Sequence, residues 1–255
     1  MVLLSESQLM NWLTPILWPF LRVLAVFSSA PVFSSKAFPV RARIGLALVI
    51  AVAAQPSLQG QPMLSLSDSR AAAAVMHQVA VGLAIGFATR LVFAAFELAG
   101  EVVGFQMGLN YASFFDPSLN AQSSAAASFF GQVTLFMFIV MNGHLTVLMA
   151  VIQSFDAFPV DQVAPGSLRD LNLVGLGAHL FASAFWIALP MIAVLMFVNL
   201  GLGIVSRVAP QMNIYAVGFP ITLTVGLVAM AFTLPLLDQP MMELMDRTIT
   251  LFVKR

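Results

Sequence analysis

The sequence of 255 residues contains no cysteine, and only 9% of its residues are charged. Without cysteine there are no disulfide bonds, thiolate nucleophiles or cysteine-ligated metal centres. Soluble domains carry about a quarter charged residues, so low charge combined with 60% hydrophobic residues is typical of a membrane protein. Basic and acidic residues number 11 each, which leaves no basic surplus to attract nucleic acid.

Recognisable catalytic motifs are also missing. The sequence has no HExxH, GxSxG or GxxxxGK[ST] pattern, and no GxGxxG pattern after a strand. His77, His144 and His179 lie in separate segments, without a carboxylate or second histidine at helical spacing. A scattered histidine in an apolar helix is more often a hydrogen-bonded residue between helices than a ligand or base. The sequence therefore predicts a protein that is not an enzyme and that has no cofactor or metal site.

Charged residues fall in clusters, and the intervals between them define where helices can enter hydrocarbon. A spanning helix needs about 20 apolar residues. Pro15, Pro19 and Arg22 interrupt the first interval, and the second is too short to span. Such breaks and charges are tolerated where other protein or a water-filled cavity satisfies them. The sequence predicts an all-α membrane protein with about six apolar helical segments, at 12–30, 44–54, 71–99, 129–152, 173–200 and 214–237. Some of these segments are short or broken, and we expect them to pack against partner subunits rather than lipid.

The third apolar segment carries an unusual set of charges. Arg90, Glu97 and Glu101 are spaced by seven and four residues, which places them on one stripe of a helix. A charge in hydrocarbon costs at least about 2.5 kcal/mol, so these groups should be paired or hydrated. Two interpretations remain, a proton or ion relay and an ion-pair network that docks the helix on neighbouring subunits. The network is favoured because no other segment carries an acidic residue at mid-depth.

Glycines follow on the same segment and lead into an apolar stretch that is too short for a span. Gly82 and Gly86 form one GxxxG pair, and Gly100, Gly104 and Gly108 form a double one, which permits close helix approach. The stretch 105–117 then mixes flexible and bulky residues and ends at a proline. A hydrophobic loop of this kind can gate a channel by excluding water, or it can simply pack under a neighbour. The candidate gate residues are Phe105, Gln106, Met107, Gly108, Phe114 and Phe115.

The last two apolar segments meet at a short polar connection. Arg207 lies on one helical face with Asn199 and Gly203, and Pro210 ends that helix. Gln211 and Asn213 follow. A cation, two amides and a turn at a hairpin tip are compatible with a docking element for another chain. Spacing alone favours the other interpretation, a solvated turn with an ordinary positive-inside arginine.

Three runs of sequence carry a specific resemblance. They are RVLAVFSSAPVFSSKAFPVRARIGLAL at 22–48, VGLAIGFATRLVFAAFELAGEVVGFQMGLNYASFFDP at 81–117 and NLGLGIVSRVAPQMNIYAVGFP at 199–220. In order and content they resemble the FliR/SctT family, whose members are subunits of type III secretion export gates. The runs GFQMGL and RVAPQMN are far more specific than a GxxxG pair, and the resemblance extends over nearly the whole chain.

This resemblance implies a fold, partners and a place in the cell. It implies an all-helical gate subunit, built of helical hairpins, that joins FliP and FliQ in the bacterial inner membrane at the flagellar basal body, with FlhB and FlhA nearby. The implied gate exports unfolded flagellar proteins. Residues 1–170 are similar to FliP and residues 171–255 to FliQ. By the same resemblance, 105–117 is the plug loop that helps to close the channel. The tip residues Arg207, Pro210, Gln211 and Asn213 are then expected near the cytoplasmic entrance.

Three other functions were compared with a flagellar export gate. An SctT-type injectisome subunit shares the family and is distinguished only by how closely the runs resemble the flagellar branch. A stand-alone proton-coupled transporter predicts polar sites at mid-membrane on several segments and inverted repeats, and the sequence has neither. An intramembrane hydrolase lacks a nucleophile and base pair. The flagellar export gate is therefore the predicted function.

Overall fold

The computed structural model describes residues 6–35, 38–62, 64–109, 124–161, 173–211 and 213–253. Across these ranges every regular element is helical and no strand occurs, which confirms the all-α prediction. Short 3₁₀ turns lie at Gln55–Leu58 and Leu234–Leu236. The α-helices in chain order are α1 (Glu6–Ser29), α2 (Pro31–Ser34), α3 (Val40–Ala53), α4 (Ala71–Met107), α5 (Ala125–Val140), α6 (Gly143–Ala157), α7 (Leu173–Val208), α8 (Ile214–Thr233) and α9 (Asp238–Thr250).

Helices α1, α4, α7 and α8 each contain a segment long and apolar enough to cross a membrane. Helices α5 and α6 make a fifth candidate span if they are counted as one bent helix. Helix α3 has 14 residues and is about 21 Å long, which is short of the roughly 30 Å of hydrocarbon. All six predicted apolar segments lie in helices, with the fourth divided between α5 and α6. The second is too short to span, as its length predicts.

The fourth apolar segment differs from its prediction as one continuous stretch over 129–152. The chain turns at Met141 and Asn142, and α5 and α6 meet at 67°. Asn142 has a φ of 57°, in the left-handed region, and Gly143 follows it. Asparagine enters that region more readily than most residues, and Asn–Gly is a turn signal. The Asn–Gly dipeptide is a local sequence signal for this bend, which the hydrophobicity of the segment did not predict.

Internal contacts divide the chain into two compact units. The first comprises Met1–Leu91, Met141–Leu176 and Met245–Arg255, and the second comprises Val92–Val140 and Gly177–Leu244. The predicted division at residue 170 concerns similarity to FliP and FliQ, and the two compact units do not test that similarity. That division stays a prediction.

The first unit is organised around Trp18 of α1. This side chain is fully buried, and its Nε1 donates to the carbonyl oxygen of Leu64 at 3.1 Å. Close contact between α1 and α4 occurs at the first GxxxG pair. A Cβ atom added to Gly82 would lie 2.7 Å from the Cβ of Ala25, and one added to Gly86 would lie 3.0 Å from the backbone nitrogen of Ala30. This pair therefore permits the close helix approach that its spacing predicts.

The second unit combines the C-terminal part of α4 with α5, α7 and α8. Phe93 of α4 packs on Phe138 of α5, with 5.3 Å between ring centroids. Only 22% of the candidate span in α7 and 28% of that in α8 is buried, against 56% in α4. Because α7 and α8 expose so much apolar surface, lipid or other protein must cover them in the cell.

Candidate functional site

Helix α4 ends inside the stretch that the sequence marks as a gate loop. Phe105, Gln106 and Met107 are its last residues, so a loop that begins at residue 105 is wrong by three residues. No residue before Gly108 breaks the helix. Gly108 has a φ of 81°, and the Leu109 nitrogen donates to the Gly104 carbonyl at 3.0 Å. This is the pattern of a glycine cap in which the left-handed residue terminates the helix.

The six candidate gate residues do not share one environment. Phe105 is exposed, Gln106 and Gly108 are half-buried, and Met107 is fully buried. Phe114 and Phe115 lie outside the described residues. Gln106 accepts a long hydrogen bond from Asn199 of α7 at 3.5 Å. The described part of the stretch thus fixes one side chain, Met107, inside the second unit.

Met107 is held by α8. A Cβ atom added to Gly226 would lie 2.5 Å from Cγ and 2.7 Å from Sδ of Met107, so a larger residue there would displace the Met107 side chain. Thr222 donates from its hydroxyl to the Met107 carbonyl at 3.3 Å. Met107 also lines an apolar cavity of about 290 Å³ together with Leu109, Ala125, Ala126, Phe129, Leu223, Leu227, Met230, Ala231 and Leu234. The end of α4 is therefore anchored to α8 beside an apolar space.

Gly100 sits where α4 crosses α5. A Cβ atom added here would lie 2.8 Å from the Ala126 carbonyl oxygen and 2.8 Å from the Ala127 Cα. Both atoms belong to backbone, which cannot rotate away as a side chain can. Gly104, the next glycine of the series, is also buried. The close approach predicted from this glycine series thus occurs within the chain itself, between α4 and α5.

Replacing Gly100 with alanine is expected to destabilise the protein even though alanine is the better helix former. Overpacking against backbone costs about 1–3 kcal/mol, which exceeds the roughly 1 kcal/mol gained in helix propensity. The matched control is Gly177→Ala in α7, where nothing lies within 4 Å of the added atom. Thermal unfolding of the detergent-purified protein should show a lower midpoint for Gly100→Ala and an equal or higher one for the control. Equal midpoints for both variants would contradict the close packing.

The two glutamates of the predicted stripe have different surroundings. A Cβ atom added to Gly131 would lie 3.1 Å from Oε1 of Glu97, so this side chain lies over the glycine. Glu101 accepts from the Ser124 hydroxyl at 2.6 Å and from the Ser124 nitrogen at 3.3 Å. The Ser124 hydroxyl in turn accepts from the Ala127 nitrogen at 3.1 Å. Glu101 thus places a carboxylate at the positive N-terminal end of α5, which favours a negative charge.

Arg90, the third member of the stripe, lies in the first unit, whereas Glu97 and Glu101 lie in the second. Its side chain is exposed and makes no hydrogen bond or ion pair with any residue in the described ranges. An arginine in a spanning helix has to be paired or hydrated. A buried charge network that includes Arg90 therefore requires charged or polar groups other than the described residues. The network stays a prediction.

The connection between α7 and α8 is a hairpin tip, as the sequence predicts. Helix α7 ends at Val208, and Pro210 and Gln211 form the turn. Asn213 caps α8, since its side-chain oxygen accepts from the Ala216 nitrogen at 3.3 Å. Arg207, Pro210, Gln211 and Asn213 are all exposed. The tip thus presents one cation and two polar side chains that are accessible to another chain.

A buried polar cluster in the first unit was not predicted as a site. Arg22 of α1 is fully buried and donates from Nε to Gln78 Oε1 at 2.8 Å and from Nη1 to Ser154 Oγ at 2.8 Å. Its Nη2 donates to the Phe158 carbonyl at 2.7 Å and also to Gln78. The available signal was a lone charge in an apolar segment, which predicted that protein or a water-filled cavity satisfies Arg22 without naming its partners.

All four hydrogen bonds from Arg22 go to neutral oxygens. The guanidinium carbon lies 3.6 Å from the centroid of the Phe155 ring, within cation–π distance. Ser154 and Phe158 lie at the C-terminal end of α6, where unsatisfied carbonyls carry a partial negative charge. The negative end of α6 and an aromatic face therefore stabilise this cation where a carboxylate would do so in an ion pair.

Comparison with known proteins decides the family. The profile of the family described as Bacterial export proteins, family 1, matches residues 13–248. The chain belongs to this family. It is 37% identical over 237 residues to the flagellar biosynthetic protein FliR of Escherichia coli (strain K12), which covers 93% of this chain and 90% of the relative.

Two further relatives of this family 1 export protein bear the same name. The flagellar biosynthetic protein FliR of Pectobacterium carotovorum subsp. carotovorum is 36% identical over 239 residues, covering 93% of this chain and 90% of the relative. That of Buchnera aphidicola subsp. Acyrthosiphon pisum (strain APS) is 29% identical over 253 residues, covering 98% and 96%. The similarity therefore includes both compact units, and it confirms the resemblance found in the sequence.

Family membership together with the apolar helices indicates a membrane location for this export protein. The family is a secretion component and is not known for catalysis. Within the described residues, no group of three or more histidine or acidic side chains could hold a metal ion. Met107, Gly100 and Glu101 each contribute to packing of α4 against α8 or α5.

Proposed function

We propose that this chain is a subunit of the flagellar export apparatus that helps to form and close the membrane channel for unfolded flagellar proteins. The observation that carries the proposal is the similarity to flagellar biosynthetic proteins along nearly the full length of both chains. The names of these relatives favour flagellar use over an injectisome subunit, and nothing in the described helices favours a stand-alone transporter.

The proposal includes assembly with other subunits, namely FliP and FliQ, in the inner membrane at the flagellar basal body. Two features of the chain support it. Helices α7 and α8 leave most of their apolar surface uncovered. Arg90 lies in a spanning helix and has no partner among the described residues. Both features have a physical explanation if neighbouring subunits cover the helices and supply a carboxylate to Arg90.

The test of this function is to tag the C-terminus, extract the protein from host membranes in mild detergent and identify by mass spectrometry what co-purifies. We expect FliP and FliQ in one large complex. A monodisperse species that contains this chain alone and catalyses proton-coupled solute uptake in vesicles would instead indicate a transporter. Loss of flagellar filaments on deletion of the gene, with restoration by the tagged chain, links the complex to export.

Arg90→Leu is expected to reduce recovery of the complex. If Arg90 pairs with a carboxylate of a neighbouring subunit, its removal leaves a buried charge unpaired, which costs about 3–5 kcal/mol. Co-purification yield measures the loss, and Arg90→Lys should retain part of the yield because it keeps a cation.

The control for Arg90→Leu is Arg70→Gln, which removes the same charge outside the spanning segments. Arg70 is exposed and pairs with Asp68 at 3.0 Å. Hydrogen bonds from Arg70 hold the pKa of Asp68 below its usual value. An exposed pair of this kind contributes little to stability, so the control should leave the yield unchanged. An undiminished yield with Arg90→Leu would show that water or lipid headgroups, rather than a subunit, satisfy Arg90.

The tip and the end of α4 have separate roles in this proposal. Residues 207–213 offer a polar docking surface for proteins at the cytoplasmic entrance, namely FlhB and FlhA. Met107 and Gly108 hold the start of the plug loop in the channel wall. The closed state of the channel then depends on the packing of Met107 against Gly226, because that contact fixes where the plug loop begins.

A further inference from the structure

Helix α3 is short, and much of its apolar surface is exposed. It packs on α1, and its buried side chains are Ala47 and Ala51, one turn apart. The larger apolar side chains of the helix are exposed, at 63% for Val40, 44% for Ile44, 36% for Leu46, 48% for Leu48, 64% for Val49 and 50% for Val52. A helix of 14 residues with this much open apolar surface cannot span the membrane, yet it has to lie against an apolar medium.

Two cations stand at the N-terminal end of this helix. Arg41 is exposed, Arg43 is half-buried, and neither side chain makes a hydrogen bond or ion pair with a residue in the described ranges. The Nε of Arg43 is buried without an acceptor among those residues. Buried donors and membrane cations usually have partners, so the described residues leave this end of α3 without the anion it needs.

One face of α3 carries both the Arg41 cation and exposed apolar residues. Arg41, Gly45, Leu48 and Val52 follow one another by four, seven and eleven residues from the first, so they share a helical face. All four are exposed, and nothing lies within 4 Å of the position that a Cβ atom would take on Gly45. Gly45 therefore forms a notch on this face between the charged end and the apolar remainder.

We propose that this face is a binding site for an anionic phospholipid. The Arg41 guanidinium binds the phosphate, and an acyl chain passes through the notch at Gly45 and lies along Leu48 and Val52. Arg43 adds a second positive charge at the same level. The short helix reaches only part of the way through the hydrocarbon, so the cations at its end meet the headgroup layer of one leaflet.

Charge and shape both favour a lipid over a protein as the occupant. Between Ile44 and Ala54 the helix has no polar side chain that would give register to a partner helix. Its open apolar residues are distributed around most of the circumference, which suits mobile acyl chains. Arg41 and Arg43, which have no side-chain partner among the described residues, require net negative charge at this end of the helix. An anionic headgroup carries it, whereas the phosphate of a zwitterionic headgroup is offset by that headgroup's own cation.

The experiment uses the full-length chain with the subunits that co-purify with it. Native mass spectrometry measures binding of added dioleoyl-phosphatidylglycerol and, separately, dioleoyl-phosphatidylcholine. We expect tighter binding of the anionic lipid and about fivefold weaker binding in Arg41→Gln, because one basic residue near the headgroups contributes about that factor. Arg70→Gln is the charge control, since Arg70 already pairs with Asp68.

A second pair of variants tests the notch. Gly45→Leu fills it and should weaken binding of both lipids, whereas Gly177→Leu, at another glycine with open space around it, should not. Arg41→Lys keeps a cation and should keep the preference for the anionic lipid, which separates charge loss from misfolding. Equal binding of the two lipids by the unaltered protein, or unchanged binding in Arg41→Gln, would overturn the site.

A photo-crosslinking amino acid in place of Leu48 identifies the occupant directly. Crosslinks to phospholipid are expected. Crosslinks to a protein subunit or to a second copy of the chain would overturn the lipid assignment. The co-purification of export subunits is a separate measurement, so this site and the proposed function can fail independently.

Discussion

Arg22→Met is expected to lower the free energy of unfolding by about 3–5 kcal/mol. The substitution leaves the acceptor oxygens of Gln78, Ser154 and Phe158 buried without their donor. Each unsatisfied buried polar group costs about 1–3 kcal/mol, and the smaller side chain also loses contact with the Phe155 ring. The measurement is the denaturant or thermal midpoint of the detergent-purified protein, followed by size-exclusion chromatography.

A paired substitution distinguishes the hydrogen-bonded cluster from simple loss of volume. Adding Gln78→Leu to Arg22→Met removes one orphaned acceptor together with its donor, so the double variant should be more stable than Arg22→Met alone. Gln78→Leu by itself should be strongly destabilising, because it leaves the buried cation short of an acceptor. Additive losses in the double variant would contradict a coupled cluster and would leave only packing as the role of Arg22.

Met107→Ala is expected to destabilise the protein by about 2–5 kcal/mol and to raise ion leakage through assembled export complexes. Met107 is fully buried against α8 and lines the apolar cavity of about 290 Å³. Truncation enlarges that cavity and releases the end of α4. A hydrophobic constriction excludes water only while it stays narrow, so a wider one conducts. Membrane potential in intact cells, followed with a potential-sensitive dye, measures the leakage.

Two comparisons make the Met107 result specific. Met76→Ala is the matched control, because Met76 lies on the same helix but is 75% exposed. It should change neither stability nor potential. Gly108→Val should raise leakage as Met107→Ala does, since a β-branched residue is strained at a φ of 81° and the helix end must rearrange. Normal potential and motility in both Met107→Ala and Gly108→Val would remove the gate assignment from this segment.

The sequence predicted some features of the candidate sites but not others. The hairpin tip followed from Pro210 and the charge gap around Arg207, because helix stops are local features. The glycine series predicted close helix approach, yet spacing could not say which helix approaches. Gly100 meets α5 of the same chain, so the close packing there is internal and does not require another subunit.

The three charged residues on one face of α4 show that helical periodicity does not predict the partners of a side chain. Spacing placed Arg90, Glu97 and Glu101 on one face of a helix, which holds for any helix of that sequence. It could not reveal that Glu101 accepts from Ser124, 23 residues later, whereas Arg90 has no side-chain partner in the described ranges. What a charged side chain meets depends on neighbouring elements rather than on its own helix.

The sequence by itself determined the membrane class, the six apolar segments and the family of this protein. These follow from composition, run length and short motifs, which are local properties of the chain. Only the tertiary structure decided the hydrogen-bond partners of Arg22 and the contact between Met107 and Gly226. Arg22 bonds to residues 56 and 132 positions away, and Met107 to one 115 positions away. Such pairings arise from how helices pack, and no local pattern encodes which distant side chain fills a given space.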